Sequence, residues 1–274
     1  MKIIPPRRAE AMTTPLRPFW RYYGGKWANA RRYEPPRFGV IVEPFAGAAG
    51  YSLHHHDQGV VLVEKNPVVA AVWSWLITAS PSDVLDIPDL PDSGEVADID
   101  APKPARDLVG FWCHEGSTHP GRRASTWGGR GVNPDRASGW NRRARERIAS
   151  QVTKIKHWTI IEGDYTAAPD VPATWFIDPP YNSRAGRKYP FQPDDFAALG
   201  AWCRARSGQV MVCEQAGADW LPFRTLAAFK SASGHGEGML GCTAALVGLS
   251  DDVRPAESRN TSVWRLPPRN VSIV

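Results

Sequence analysis

The chain has 274 residues, of which 42% are hydrophobic and 22% charged, a composition typical of a soluble globular protein. Its formal net charge of +5 is compatible with a polyanionic partner. The four cysteines lack C-x-x-C spacing, which argues against a zinc site and a disulfide framework. The longest apolar run, residues 68–79, is too short to span a bilayer, and the N-terminus lacks the apolar core of a signal peptide. We therefore expect a cytoplasmic protein with one large domain or one domain with an insertion.

Residues 1–38 are basic and punctuated by prolines, which predicts little regular structure. Within them lies the run Arg21-Tyr22-Tyr23-Gly24-Gly25-Lys26, whose two glycines allow close approach of the backbone to a ligand. Lys26 would then neutralise a carboxylate or a phosphate. Taken alone, the run fits better an aromatic arm packed on the core, with Lys26 in solvent.

A strand, a glycine turn and a second strand follow in the order of a nucleotide-binding βαβ unit. Residues 40–43 read as a buried strand, and the turn Pro44-Phe45-Ala46-Gly47-Ala48-Ala49-Gly50 should lead into a helix ending near His56. Residues 60–64 form the second strand, and Glu64 at its end stands where such folds bind the hydroxyl pair of a ribose. The alternative is a surface glutamate beside the helix that Asn66 should cap and that should run from residue 68 to 79.

The segment 80–150 differs in composition from the rest of the chain. Residues 80–100 are acidic and proline-rich, which predicts a loop. Between residues 121 and 147 there are eight arginines against two acids, with tryptophans interleaved. This pattern fits either a solvated basic face or a surface that contacts nucleic acid. The candidate contacts are Arg122, Arg123, Arg130, Arg136 and Arg142.

The second half of the chain returns to alternating strands and helices. A helix from residue 142 to 155 precedes strands at 157–161, 174–178 and 209–214, and another helix should end near residue 206. The pair 221–229 and 243–249 reads as a closing antiparallel hairpin. This order predicts an α/β fold with a mostly parallel, Rossmann-like sheet.

Residues Asp178-Pro179-Pro180-Tyr181 end the fourth strand of this order. Proline lacks an N–H and fixes φ, so the two prolines force a rigid, extended bend after the strand. Asp178 is thereby placed at the carboxyl edge of the sheet, where open α/β sheets bind ligands. An acceptor, rigid carbonyls and a stacking ring suit a flat, amine-bearing ring, although an ordinary proline turn would look the same.

Taken together, these motifs resemble the Dam-like DNA adenine N6-methyltransferases, which use S-adenosylmethionine. The matching pieces occur in the family's order and span most of residues 19–250. They are the Arg21–Lys26 run, Glu43 to Gly47, Glu64, Glu162-Gly163-Asp164-Tyr165 and Asp178-Pro179-Pro180-Tyr181. The chain departs from the family at Ala49, where a second glycine is usual, at Glu64, where aspartate is more common, and at Tyr23, where proline is common.

The resemblance implies a Rossmann-like methyltransferase sheet with an inserted DNA-recognition region. Residues 1–79 would form an N-terminal arm and the first half of the catalytic domain, 80–150 the inserted region, 151–250 the second half, and 251–274 a polar tail. The implied catalytic residues are Asp178, Pro179, Pro180 and Tyr181. The implied S-adenosylmethionine site comprises Tyr23, Gly25, Lys26, Glu43, Phe45, Ala46, Gly47, Glu64, Asp164, Tyr165 and Asp178.

In this family the target adenine in double-stranded DNA is flipped out of the duplex, Tyr181 would stack on it, and no metal takes part. Three alternatives stay open from the sequence. The first is a methyltransferase acting on RNA, because guanine-N2 enzymes of ribosomal RNA carry a similar tetrapeptide. The second is a catalytically inactive DNA-binding relative. The third, cytosine N4-methylation, is disfavoured because that group typically has serine in place of Asp178.

Overall fold

The structure is a computed structural model that describes residues 14–90, 94–123, 139–230 and 239–246. In these ranges the strands are β1 (Val40–Glu43), β2 (Gly59–Glu64), β3 (Thr159–Glu162), β4 (Ala173–Ile177), β5 (Gly208–Gln215), β6 (Arg224–Lys230) and β7 (Met239–Leu246). The α-helices are α1 (Pro67–Thr78), α2 (Pro81–Leu85), α3 (Lys103–Cys113), α4 (Arg142–Val152) and α5 (Phe196–Arg204). The prediction of an α/β fold is confirmed.

The strands form one sheet in the order β3-β2-β1-β4-β5-β7-β6. The first five strands of this order run parallel, as predicted. The chain builds outward from β1 to β3 and then crosses back to β4 on the other side of β1. Strand order therefore reverses between β1 and β4, and in open α/β sheets ligands bind beside such a switch point, at the carboxyl ends of the strands.

The other two strands pair antiparallel, with β7 between β5 and β6. The ranges 221–229 and 243–249 predicted from the sequence overlap them with shifted bounds. Residues 231–238, which connect β6 to β7, lie outside the described residues.

Local signals explain where the helices begin, and they correct two of our expectations. Asn66 caps α1 by accepting a hydrogen bond from the Val68 N–H at 3.1 Å, as predicted. The expected helix after the glycine turn is a single 3₁₀ turn, Ser52–His54. The expected loop at 80–100 contains α2, which begins at a capping box between Ser80 and Asp83. That signal was present in the sequence, but the acidic, proline-rich composition concealed it.

The hydrophobic core lies on both faces of the sheet. Successive side chains of a strand point to opposite faces, and in β4 Trp175 packs in one cluster while Phe176 packs in the other. The larger cluster joins the N-terminal arm to α1, α3 and α4. The aromatic arm is thus packed on the core, with Phe19 and Trp20 fully buried.

The described parts of segment 80–150 share this larger cluster. Val84 of α2, Phe111 of α3 and Ile148 of α4 are all fully buried in it. The division of the chain at residues 79 and 150 stays a prediction. The larger core cluster contains residues from both sides of each of these boundaries. Across the described ranges no helix is both long and apolar enough to cross a membrane.

Candidate functional site

A cleft opens at the carboxyl ends of β1, β2, β3 and β4. Its walls come from the arm at residues 22–26, the glycine turn, the ends of these strands and residues 189–192. All eleven residues that the resemblance assigned to the donor line it, and so does Pro180. Pro179 is buried, and the half-buried ring of Tyr181 faces Lys26. Motifs separated by up to 155 positions of sequence, from Tyr23 to Asp178, therefore meet in one cavity.

The glycine turn is built for close contacts. Gly47 has φ +45° and Ala49 has φ +50°, and Ala49 is the one non-glycine residue of the described ranges with positive φ. A Cβ at Gly50 would lie 2.6 Å from the backbone nitrogen of Trp27, so the turn presses against the N-terminal arm. The departure at Ala49 thus falls at a position where the backbone adopts a conformation that favours glycine.

Glu64, at the end of β2, is tied to both flanking turns. One carboxylate oxygen accepts the Gly47 N–H at 2.9 Å, and the other accepts the Asn66 N–H at 2.8 Å. Burial raises the pKa of Glu64, and these backbone N–H groups oppose the rise. Each oxygen has a second lone pair, so the carboxylate retains the capacity to accept hydroxyl groups from a ligand.

Glu43, at the end of β1, is a buried carboxyl group on the cleft wall. It accepts the Ser52 N–H at 2.7 Å. Burial raises the pKa of Glu43 to about 8, against the opposing effect of the bond from Ser52. Near neutral pH the side chain therefore holds a proton in much of the population and can donate a hydrogen bond.

Asp164 and Tyr165 follow β3 on the far side of the cleft. Asp164 forms an ion pair with Lys65 at 3.0 Å and also accepts the Thr166 N–H at 3.3 Å. The ring of Tyr165 stacks on Phe45 of the glycine turn, with centroids 5.5 Å apart and planes inclined by 28°. This wall offers an aromatic pair and a carboxylate to a ligand ring.

Asp178, at the end of β4, forms an ion pair with Lys26, whose Nζ lies 2.8 Å from Oδ2. The other oxygen, Oδ1, is buried, and no hydrogen-bond partner among the described residues reaches it. Burial raises the pKa of Asp178, and the Lys26 ammonium works against the rise. The ammonium also lies over the ring of Tyr181, 5.0 Å from its centroid. Lys26 is thus buried and paired on the cleft wall, and not in solvent as the Arg21–Lys26 run taken alone suggested.

Glu214, near the end of β5, was not assigned a role from the sequence. Its carboxylate accepts the Asn182 N–H at 3.0 Å, the Gln215 N–H at 2.8 Å and the Trp220 indole N–H at 3.1 Å. It therefore anchors the segment that follows Tyr181. An acid near the end of the next parallel strand was the available signal, because it repeats the pattern of Glu43, Glu64 and Asp178.

Tyr189 was also missed. Its hydroxyl donates to the Tyr23 carbonyl at 2.7 Å, and a Cβ at Gly24 would lie 2.3 Å from that hydroxyl. The glycine of the arm is needed to admit the tyrosine. No local pattern links residues so far apart in the chain, so the sequence carried no signal for this contact.

The described arginines among the candidate DNA contacts lie outside the cleft lining, and each pairs with an acid. Arg122 and Arg123 both bind Glu95, at 3.1 and 2.7 Å, and Arg142 binds Glu146 at 2.6 Å. Their side chains are largely exposed. Arg130 and Arg136 lie outside the described residues.

The chain matches no protein-family model, and a search of curated proteins finds no significant match. Function must therefore be argued from the cleft. The cleft combines a carboxylate with a buried oxygen that has no partner in the described ranges, a second carboxylate held by backbone N–H groups, and aromatic rings on two walls. This arrangement suits a ligand that carries amine and hydroxyl donors on flat rings.

Proposed function

We propose that the chain is an S-adenosylmethionine-dependent methyltransferase that modifies the exocyclic amine of adenine in DNA. The observation that carries the proposal is Asp178 Oδ1, a buried oxygen for which the described residues supply no hydrogen-bond donor. A buried acceptor without a donor is costly, on the order of 1–3 kcal/mol or more for a charged group. An amine donor entering the cleft would satisfy it, next to the aromatic ring of Tyr181.

The residues of the cleft fit the donor molecule. Glu64 has lone pairs for the two ribose hydroxyls, and the rings of Phe45 and Tyr165 suit contact with an adenosine. Asp164 would accept from the adenine amine. A Cβ at Gly47 would lie 3.2 Å from the Tyr22 ring, so glycine keeps this part of the cleft wall from being crowded. When bound, S-adenosylmethionine supplies an electrophilic methyl group on a positively charged sulfur.

The chain's own residues would then activate the target amine. Asp178 Oδ1 and the Pro179 carbonyl accept its two N–H groups, which localises the nitrogen lone pair and makes the nitrogen nucleophilic. Positive charge develops on this nitrogen, and the Asp178 carboxylate stabilises it in a partly buried site. Tyr181 would hold the base by stacking, which fixes the orientation of the nitrogen. Flipping the base out of the duplex costs about a few kcal/mol.

A DNA partner is supported by a second groove beside the cleft. The groove shares Tyr23 with the cleft and is also lined by His114, Glu115, His119 and Lys188, and Glu115 is paired with Arg21 at 3.0 Å. The Lys188 ammonium lies 5.0 Å from the centre of the Tyr23 ring. Aromatic and cationic groups side by side suit a strand whose bases stack and whose phosphates need neutralising.

The test is methyl transfer from isotopically labelled S-adenosylmethionine to duplex DNA, followed by identification of the modified nucleoside. We expect N6-methyladenine with the wild-type chain. Asp178→Asn should lower kcat by about 10²–10³-fold, because the charge that stabilises the reacting nitrogen is lost. The matched control, Asp57→Asn, changes an exposed aspartate outside the cleft and should retain wild-type activity.

Full activity of Asp178→Asn would refute the proposed site. Transfer to RNA but not to DNA would leave the chemistry intact and change the substrate. Binding of S-adenosylmethionine without transfer to either polymer would favour an inactive relative.

A further inference from the structure

Lys26 is held by the part of the cleft that would receive the target base. Its ammonium donates to the Gly24 carbonyl at 2.7 Å and to Asp178 Oδ2 at 2.8 Å, and it faces the Tyr181 ring. An ammonium has three N–H donors, so two of them are committed to these oxygens. The side chain is only 10% exposed, which leaves it little freedom to reach another partner.

The resemblance implied that Lys26 belongs to the S-adenosylmethionine site, whereas its hydrogen bonds in the structure go to Gly24 and Asp178. We propose that Lys26 is a positioning residue for Asp178. Its ammonium occupies Oδ2, so that Oδ1 is presented to the target amine. The inference rests on the proposed function and adds a role within it. Lys26 would fix the rotation of the carboxylate and keep it ionised, while Asp178 itself contacts the substrate.

The surroundings of Asp178 make a nearby cation necessary. The other titratable groups that face this ion pair are Glu43, Cys213, Glu214, Tyr181 and Tyr189. Each of them is either neutral or negative. Burial raises the pKa of Asp178, and the charge and hydrogen bond of Lys26 lower it. Without Lys26, Asp178 would take up a proton at a higher pH, and the charge that stabilises the reacting nitrogen would be lost.

The pH dependence of methyl transfer tests this role, because a purely structural lysine would not move it. In Lys26→Met the acid limb of the kcat profile should shift upward by roughly 1–3 pH units, the effect of removing one adjacent opposite charge. Lys26→Gln removes the charge but keeps a hydrogen-bond donor, and it should show the same shift if the methionine variant folds poorly. Lys26→Arg should restore the wild-type limb.

Binding of S-adenosylmethionine, measured by calorimetry, separates the two possible roles of Lys26. Positioning of Asp178 predicts an unchanged Kd with a lowered kcat. The matched control is Lys103→Met, which breaks an exposed lysine–aspartate pair of 2.7 Å on α3 and should change neither quantity.

An active wild type whose pH profile is the same in both neutral variants would overturn this inference alone. A raised Kd for S-adenosylmethionine with an unchanged kcat would also overturn it, because Lys26 would then act by binding the donor. A wild type that transfers no methyl group would overturn the proposed function, and this inference with it.

Discussion

The cleft and the basic segment were both singled out from the sequence, but their polar groups have different partners in the structure. In the cleft, residues from the ends of four strands converge and share hydrogen bonds. In the basic segment, Arg122 and Arg123 converge on a single acid, Glu95. Among the described residues, Asp178 Oδ1 in the cleft has no hydrogen-bond partner, whereas these two cations already have a protein partner.

Motif order along the chain is therefore a stronger signal of a binding site than composition is. A motif at the end of a parallel strand is placed by the sheet, so several such motifs must meet at one edge. A run of arginines has no such constraint, and nearby acids can pair with it at the surface. Exposed pairs of this kind contribute roughly 0–1 kcal/mol each, so a ligand could still displace Glu95 at little cost.

The largest effect is expected at the donor side of the cleft. Glu64→Ala removes a carboxylate proposed to accept two hydroxyls, and hydrogen bonds to a charged group are worth about 1.5–3 kcal/mol each. Two such bonds are worth about 3–6 kcal/mol, so the Kd for S-adenosylmethionine should rise by about 10²–10⁴-fold in a calorimetric titration. The control is Glu162→Ala, because Glu162 is the register partner of Glu64 on β3 but is exposed. Equal losses in the two variants would show that strand-end acids act through general charge.

The second effect concerns stability and comes from Glu43. Its pKa is about 8 in the folded chain against an ordinary 4.5, so the folded state keeps a proton that the unfolded state releases between these values. Its contribution to stability is complete below the ordinary pKa and is lost as pH rises to about 8. Relative to wild type, Glu43→Gln should gain more than about 1 kcal/mol across this window.

Urea unfolding at several pH values measures this gain, and Glu162→Gln serves as the exposed control. A constant difference between Glu43→Gln and wild type would mean that Glu43 is ionised in the folded chain. The cleft wall would then carry one more negative charge beside Asp178.

A smaller effect is expected from the basic segment. Neutralising two phosphate contacts lowers the salt slope of DNA binding by about 2, so the double variant Arg122→Gln, Arg123→Gln should bind more weakly and less salt-dependently. Glu95→Gln is the sharper variant, because it frees both arginines and should strengthen binding. If neither variant changes the salt slope of DNA binding measured by fluorescence anisotropy, these two arginines belong to a solvated face that does not contact DNA.

The sequence predicted the parallel strands and the residues of the cleft because both follow from local patterns repeated in order. Asn66 marked the start of α1, and an acid lies at or just beyond the end of each parallel strand. The contacts that it did not predict are between distant parts of the chain. Tyr189 reaches Tyr23, and Lys26 reaches Asp178, through packing that no spacing rule encodes. The arginine pairs were missed for the same reason, since Glu95 precedes them by almost thirty positions.

The smallest expected effect is at Ala49, where the chain departs from the resemblance. Its φ of +50° costs about 1–2 kcal/mol for a residue with a Cβ. Ala49→Gly would remove this strain but would lose a buried methyl worth about 0.8 kcal/mol and add roughly 0.4–1 kcal/mol of chain entropy to the unfolded state. The terms nearly cancel, so urea unfolding should show almost no change. Ala48→Gly has no strain to relieve and should lose about 1 kcal/mol or more. Equal losses in the two variants would show that the turn accommodates Ala49 without strain, and the departure would then have no structural cost.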